Sequence, residues 1–283
     1  MTHKVLYSYI CFLYEKPETL DIMQTVIVPV DFSETSINAA RYAVRLLTGH
    51  YGVNMILHHV YEKAGSAAEA NQRLETLKGE LKELGIVKIN TLAEESSDFI
   101  KELEKLARHQ QADMIIMGIT GRSAIGQSLI GSNTLKMVNT KVCPVLIVPQ
   151  EAAYRDVKNV LLTSDFKNVV STTPSGPIRK ILKPFNPNFH IINVDSSHYV
   201  ALTEEYQEQK AALAKMFHDL KPEFYFLGLP DVDEGISQFA KDKNVDMIVM
   251  IHKDHSLLSK LFVKSHTKVL AYQSSVPVLA VHE

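Results

Sequence analysis

Apolar residues follow two alternating rhythms along this chain. Thr25–Val30 is a short apolar run without a polar break, the pattern of a parallel strand covered on both faces. Behind it Ser33 is placed to cap a helix whose Ile37, Ala40, Val44 and Leu47 fall on one face. The alternation continues through a second strand at Met55–Val60, a polar amphipathic helix at Ala67–Leu84 and a third strand at Val87–Leu92. Phe99, Leu103, Leu106 and Ala107 line a helix capped near Ser97. Met114–Met117 is a fourth strand, Ser132–Asn139 opens the last helix, and Val145–Val148 is a fifth strand.

The pattern then starts again, with strands at Val157–Thr163, His190–Val194, Glu223–Leu227, Met247–Ile251 and Val278–Val281. The repetition reaches the residues themselves. Asp113-Met-Ile-Ile-Met117 recurs as Asp246-Met-Ile-Val-Met250, and Cys143-Pro-Val-Leu-Ile-Val148 as Val276-Pro-Val-Leu-Ala-Val281, both 133 positions apart. Val30-Asp31-Phe32 matches Ser164-Asp165-Phe166 at an offset of 134. Three matches in one order mark a tandem duplication with halves 23–150 and 151–283, joined near Glu151 to Asp156. In the second half Pro174, Gly176 and Pro177 are expected to delay the first helix until about Pro177. Strands alternating with helices predict two successive α/β domains with parallel sheets. Ligands of such sheets bind beyond the carboxyl ends of the strands, where the strand order reverses. The final strands, near Val145 and Val278, are the expected meeting edges of the halves, because an unpaired apolar edge invites aggregation.

Composition narrows the class. The 283 residues are 46% hydrophobic and 22% charged, with a net charge of −2, enough for two buried cores and too balanced for a nucleic-acid or anionic-membrane surface. Two cysteines, Cys11 and Cys143, supply neither a disulfide framework nor a metal cluster and fit a reducing, cytoplasmic setting. Val5 to Tyr14 is an apolar run of signal-core size, yet Glu15, Lys16 and Pro17 follow it and no small-residue cleavage site does. Residues 1–22 read as an extension, with Met23 the expected natural start.

The densest chemistry follows the fourth strand: Gly118-Ile-Thr-Gly121-Arg122-Ser-Ala-Ile-Gly126-Gln-Ser-Leu-Ile-Gly131-Ser132. Glycines between a strand and a helix let backbone N–H groups approach a phosphate, and the helix start adds a favourable dipole. A Walker A loop fails here because Gln127 stands where its Lys belongs, and G-x-G-x-x-G does not occur. The spacing present is G-2x-G-9x-G-[ST], at Gly118, Gly121, Gly131 and Ser132. With Pro29-Val30-Asp31 closing an early strand and Pro144 before the last one, the chain resembles the universal stress proteins, as two consecutive copies over residues 24–283.

That resemblance implies two Rossmann-like domains of the adenine nucleotide α-hydrolase type, each a five-stranded, mainly parallel sheet flanked by helices. It also implies ATP, with or without Mg2+, held by the first copy. Carried over by position, Asp31 hydrogen-bonds the adenosine part and the Val60 backbone, after His59, meets adenine. Met117 and Gly118 flank the nucleoside; Gly121, Gly131, Ser132 and Asn133 face the phosphates, and Arg122 adds charge. In the second copy Gly118, Gly121 and Gly131 become Ile251, Asp254 and Lys264, while Ser265, Asp165 and Val194 persist. That copy is expected to have lost ATP in the family's manner.

Other candidates carry less. His252, Asp254, His255 and His266 are proper zinc ligand types, but their spacing matches no helix motif. His58 and His59 close a strand, so alternation sends one inward and the other towards the cleft. Cys143 reads as core, and no Ser/His/Asp or Cys/His set is defensible. The sequence therefore points to an ATP-binding regulatory or stress-response module. The alternatives are a slow ATPase or phosphotransfer enzyme at the same site, and an interaction scaffold with a vestigial one. The expected partners are an adenine nucleotide, the other half of the chain and a second copy in a homodimer, with no nucleic acid and no membrane.

Overall fold

The computed structural model describes residues 22–62, 67–119, 132–194, 203–252 and 276–283. In the first half β1 (Thr25–Pro29) leads to α1 (Glu34–Leu47), β2 (Asn54–Tyr61), α2 (Ala67–Lys82) and β3 (Lys88–Glu95). Next come α3 (Phe99–His109), β4 (Met114–Ile119), α4 (Ser132–Asn139) and β5 (Val145–Pro149). The second half runs β6 (Asn159–Thr163), α5 (Val169–Thr172), α6 (Ser175–Leu182), β7 (Asn188–Val194), α7 (Glu204–Met216) and β8 (Glu223–Leu227). It closes with α8 (Val232–Asp242), β9 (Met247–His252) and β10 (Val278–His282).

Among the described residues ten strands form one sheet in the order β3-β2-β1-β4-β5-β10-β9-β6-β7-β8. Among them every pairing within a half is parallel, and the single antiparallel pair is β5 with β10. Leu146 lies opposite Leu279, flanked by Ile147 opposite Val278 and Val145 opposite Ala280. Leu146 and Leu279 occupy equivalent repeat positions, so a pseudo-twofold axis passes between them, the self-complementary geometry of an isologous contact. The duplicated edges thus cover each other.

Strand alternation divides the core between two faces. Val26, Val28, Met55 and Leu57 turn one way, under α1 and α2, and Ile27, Ile56 and Ile115 turn the other, under α3 and α4. The N-terminus of β1 is clamped from β4. Asp113 accepts the Gln24 and Thr25 amides and also binds the Lys180 ammonium of α6 at 2.7 Å, across the halves. Asp246 repeats the backbone clamp on Lys158 and Asn159, each at 3.0 Å. The repeated Asp-Met-Ile motif is therefore a strand-start clamp, rather than chemistry.

One element differs from the sequence reading. The first helix of the second half does not wait for Pro177: a single turn forms at α5, breaks at Thr173-Pro174 and resumes as α6. Pro177 is tolerated because it sits in the first turn of α6, where its missing N–H has no helical acceptor. The α3 cap is Asp98, whose carboxylate accepts the Lys101 amide at 3.1 Å. The apolar run Val5–Tyr14 and the expected start region before residue 22 lie outside the described residues.

Replacing Asp113 with Ala leaves two strand-start amides without their acceptor. Stability is expected to fall by about 1–3 kcal/mol, the net worth of two hydrogen bonds whose donors are exposed or part-buried. Urea unfolding checks this, with Lys180→Ala expected to cost much less because it spares the backbone bonds.

Candidate functional site

The strand order reverses between β1 and β4, so the cleft beyond their carboxyl ends is where the topology places a ligand. β1 stops at Pro29, and the chain leaves the sheet through Val30, Asp31 and Phe32. Phe32 has φ +62°, a left-handed conformation that costs a non-glycine residue about 1–2 kcal/mol and persists only where its surroundings hold it. Here they do. The Phe32 ring packs on His59 with centroids 4.7 Å apart, and the Arg73 guanidinium lies 4.0 Å from its centroid.

The turn presents Asp31 at the start of α1. Its Oδ1 accepts from the Ser33 amide at 2.9 Å and from the Ser33 hydroxyl at 2.6 Å, while Ser33 Oγ accepts the Ser36 amide at 3.2 Å and caps the helix. Burial pushes the Asp31 carboxyl up, but the bonds from Ser33 and Ser36 outweigh it and hold it below the usual carboxylate range. The group is an ionised acceptor at a helix N-terminus.

β2 continues past the end of β1. Their register runs from Thr25 opposite Asn54 to Pro29 opposite His58 and is closed by the Val30 N–H on the His58 carbonyl at 2.8 Å. Val60 pairs sideways with Glu94 of β3, but in the ladder's alternation its own N–H and C=O point towards the β1 side, where no strand remains. His58 is fully buried and bonds Glu94 at 2.9 Å, so it is the inward-facing member of the pair. Burial lowers its pKa, against the bond from Glu94, which raises it.

From β4, Met117 is buried in the sheet and Gly118 faces the first turn of α1. A Cβ on Gly118 would stand 2.5 Å from the Thr35 carbonyl oxygen and 2.7 Å from its methyl group. This glycine is required by the close approach of strand to helix, whatever the cleft holds. The Thr134 hydroxyl donates to the Gly118 carbonyl at 2.9 Å, which fixes the first turn of α4, with the exposed Asn133, at the same end of the sheet. Asp31, Val60, Met117, Gly118 and the start of α4 at Ser132 are thus brought together. Gly121, Arg122 and Gly131 lie outside the described residues.

In the second half Asp165 precedes Phe166 at φ +55°, and the Lys167 amide donates to the Asp165 carboxylate at 3.1 Å. The nucleoside-side turn is therefore kept. Ile251 replaces Gly118 and packs against the core. Asp254, Lys264 and Ser265 lie outside the described residues, as do His255 and His266 of the rejected zinc set. Among the described residues no group of three His, Cys, Asp or Glu could hold a metal ion. Cys143 is buried, and burial pushes its thiol up to about 12, far from a reactive thiolate. Sequence reasoning missed Thr35, Glu94 and Arg73, each of which acts across elements whose packing no local pattern reveals.

The depressed Asp31 pKa has a signed consequence. Its folded value lies below the unfolded one, so its stabilisation is complete above the ordinary carboxylate range and disappears as pH falls through the lowered folded value. Asp31→Asn is expected to flatten that acidic part of the stability profile, read by thermal unfolding across pH, and to leave the neutral-to-basic part parallel to the parent.

The sequence model of the universal stress protein family matches residues 23–149 and 191–282. A universal stress protein of Methanocaldococcus jannaschii is 27% identical over 143 residues, covering 45% of this chain and 83% of its own length. The crystal structure of a universal stress protein from Archaeoglobus fulgidus superposes with a TM-score of 0.67 at 17% identity, over 93% of this chain and 99% of that one. A protein of Pseudomonas aeruginosa described as functionally unknown gives a TM-score of 0.60 at 14% identity, over 93% and 94% of the two chains. These structures share the fold, an α/β architecture with a mostly parallel sheet flanked by helices. With more than half of its residues matched by the family's sequence pattern, this chain belongs to the universal stress protein family.

Proposed function

We propose that residues 23–150 form a universal stress protein domain that binds ATP, with Mg2+ on its phosphates, as a regulatory stress-response module. Residues 151–283 form a second domain without the phosphate loop. The observation that carries this reading is the pairing, across one switch-point cleft, of an ionised acceptor with an open peptide edge. Asp31 suits ribose hydroxyls, which donate to a carboxylate, and the Val60 N–H and C=O suit the donor–acceptor edge of adenine. The donor set fits the group beyond the nucleoside as well. The amides of Ser132 and Asn133 at the start of α4, joined by those of Gly121 and Gly131 and by Arg122 as the family motif implies, would supply the positive potential that a polyphosphate needs. Met117 and Gly118 form the wall between the two regions.

Bound nucleotide would bias the conformation of the domain or its binding of a partner. The role is one of binding. Occupancy is asymmetric, because the second half keeps the Asp165 turn but has Ile251, Asp254 and Lys264 where the first has glycines. Losing two charge-assisted backbone bonds, about 1.5–3 kcal/mol each, lowers affinity at least a hundredfold.

Calorimetric titration with ATP and Mg2+ is expected to give one site per chain. Asp31→Ala should weaken binding by roughly 1–3 kcal/mol, and a bulky residue at Gly131 should abolish it. Two equivalent sites, or unchanged affinity in both variants, would overturn the assignment.

A further inference from the structure

The ladder between β1 and β2 has a fixed rhythm. The Asn54 N–H donates to the Gln24 carbonyl at 2.7 Å, and at the far end the Val30 N–H donates to the His58 carbonyl at 2.8 Å. The next rung of a parallel ladder would run from the Val60 N–H to the Val30 carbonyl. Among the described residues that rung is missing. The Val30 carbonyl instead accepts from Nδ1 of His59 at 2.7 Å. A carbonyl only accepts, so Nδ1 carries the proton. One residue further, Tyr61 turns its carbonyl to β3, where it accepts the Ser96 N–H at 3.0 Å. Val60 is therefore the one residue of this strand end whose peptide faces the side β1 has vacated.

The second half solves the same problem with different chemistry. The Ser164 N–H donates to the Ile192 carbonyl at 3.0 Å, as Val30 does to His58. The Ser164 carbonyl then accepts from Nδ2 of Asn193 at 3.0 Å. Asn193 stands where His59 stands, Val194 where Val60 stands, and Phe166 repeats the left-handed turn at φ +55°. An imidazole and a carboxamide share little beyond a side-chain N–H of short reach. The second duty of the His59 ring, packing on Phe32, passes in the other half to Tyr206, stacked on Phe166 with centroids 4.7 Å apart and planes 15° apart. The shared property at the first position is thus the donor, not the ring.

We propose that His59 is a positioning residue, whose Nδ1–H occupies the Val30 carbonyl, keeps the Val60 peptide edge open for the base and pins the turn that presents Asp31. The proposal rests on reading the first half as a nucleotide site. By the same geometry Asn193 keeps the Val194 edge open in the second half.

Two substitutions separate donor from ring. His59→Asn keeps an N–H at the carbonyl, and His59→Phe keeps a ring on Phe32 without the donor. Amide hydrogen exchange of the full chain without nucleotide is expected to show a fast Val60 amide in the parent and in H59N. In H59F that amide slows, because the Val30 carbonyl returns to the ladder. ATP affinity should fall roughly tenfold in H59F, the value of about one hydrogen bond, and stay near the parent value in H59N. A protected Val60 amide in the parent, or equal exchange and affinity in the two variants, would overturn the proposal. Should H59F not fold, ring-nitrogen NMR of the parent decides: the neutral imidazole is expected as the Nδ1–H tautomer, and an Nε2–H tautomer refutes it. If the parent binds no ATP, the nucleotide reading fails, while exchange and tautomer still decide what His59 does to the Val60 edge.

Discussion

The ligand end of this sheet depends on how β1 is allowed to stop. The strand is buried on both faces and paired on both edges, so each of its peptide groups needs a partner inside the protein. A strand that ran on would find its partners in the ladder and leave no cleft. Here β1 ends while β2 continues, and the last carbonyl, that of Val30, is taken by a side chain. Release from the ladder lets the chain turn through a left-handed Phe32 and place Asp31 just ahead of the Ser33 cap of α1. Without that bond the Val60 N–H would be free to continue the ladder onto the Val30 carbonyl and close the edge.

Duplication shows which features belong to the fold and which to the site. Both halves keep the aspartate clamp on the first strand, at Asp113 and Asp246, and both keep the left-handed phenylalanine after it. They part at Gly118 and Ile251. The close contact between Gly118 and the Thr35 carbonyl demands glycine in the first half. In the second half Ile251 packs against the core, and the helix that follows the first strand is broken at Thr173-Pro174.

Most of the architecture was legible because it rests on local pattern. Continuous apolar runs located the strands, and the matched 133-residue spacing exposed the duplication before any contact was known. Strand ends were read short, as at β3, which extends to Glu95, because polar residues at an exposed sheet edge carry no burial signal. The helix after β6 was misplaced, since a sequence rule places a proline at a helix start but does not report a free turn ahead of it. The positions of Asp31 after β1 and of Val60 near the end of β2 were legible, and the contacts around them were not. The bond from His59 reaches across to Val30 at the end of β1, and Gly118 answers to Thr35, 83 residues earlier. Such requirements arise in tertiary packing, where periodicity is silent.

The second half has duties to the fold that do not involve its own cleft. β5 is the last strand of the first half, and its residues Val145, Leu146 and Ile147 are almost wholly buried because β10 lies against them. Remove β10 and that apolar edge, with its unpaired amides and carbonyls, is open to any other chain. Lys180 adds a second tie by reaching the same Asp113 that holds the start of β1. The second half therefore answers to two requirements that do not involve its own cleft: its last strand must complement β5, and α6 must meet Asp113. Its core and clamps are held by those demands, while its glycines are not. This is why the two halves can share one sheet and differ in the loop that follows the fourth strand of each.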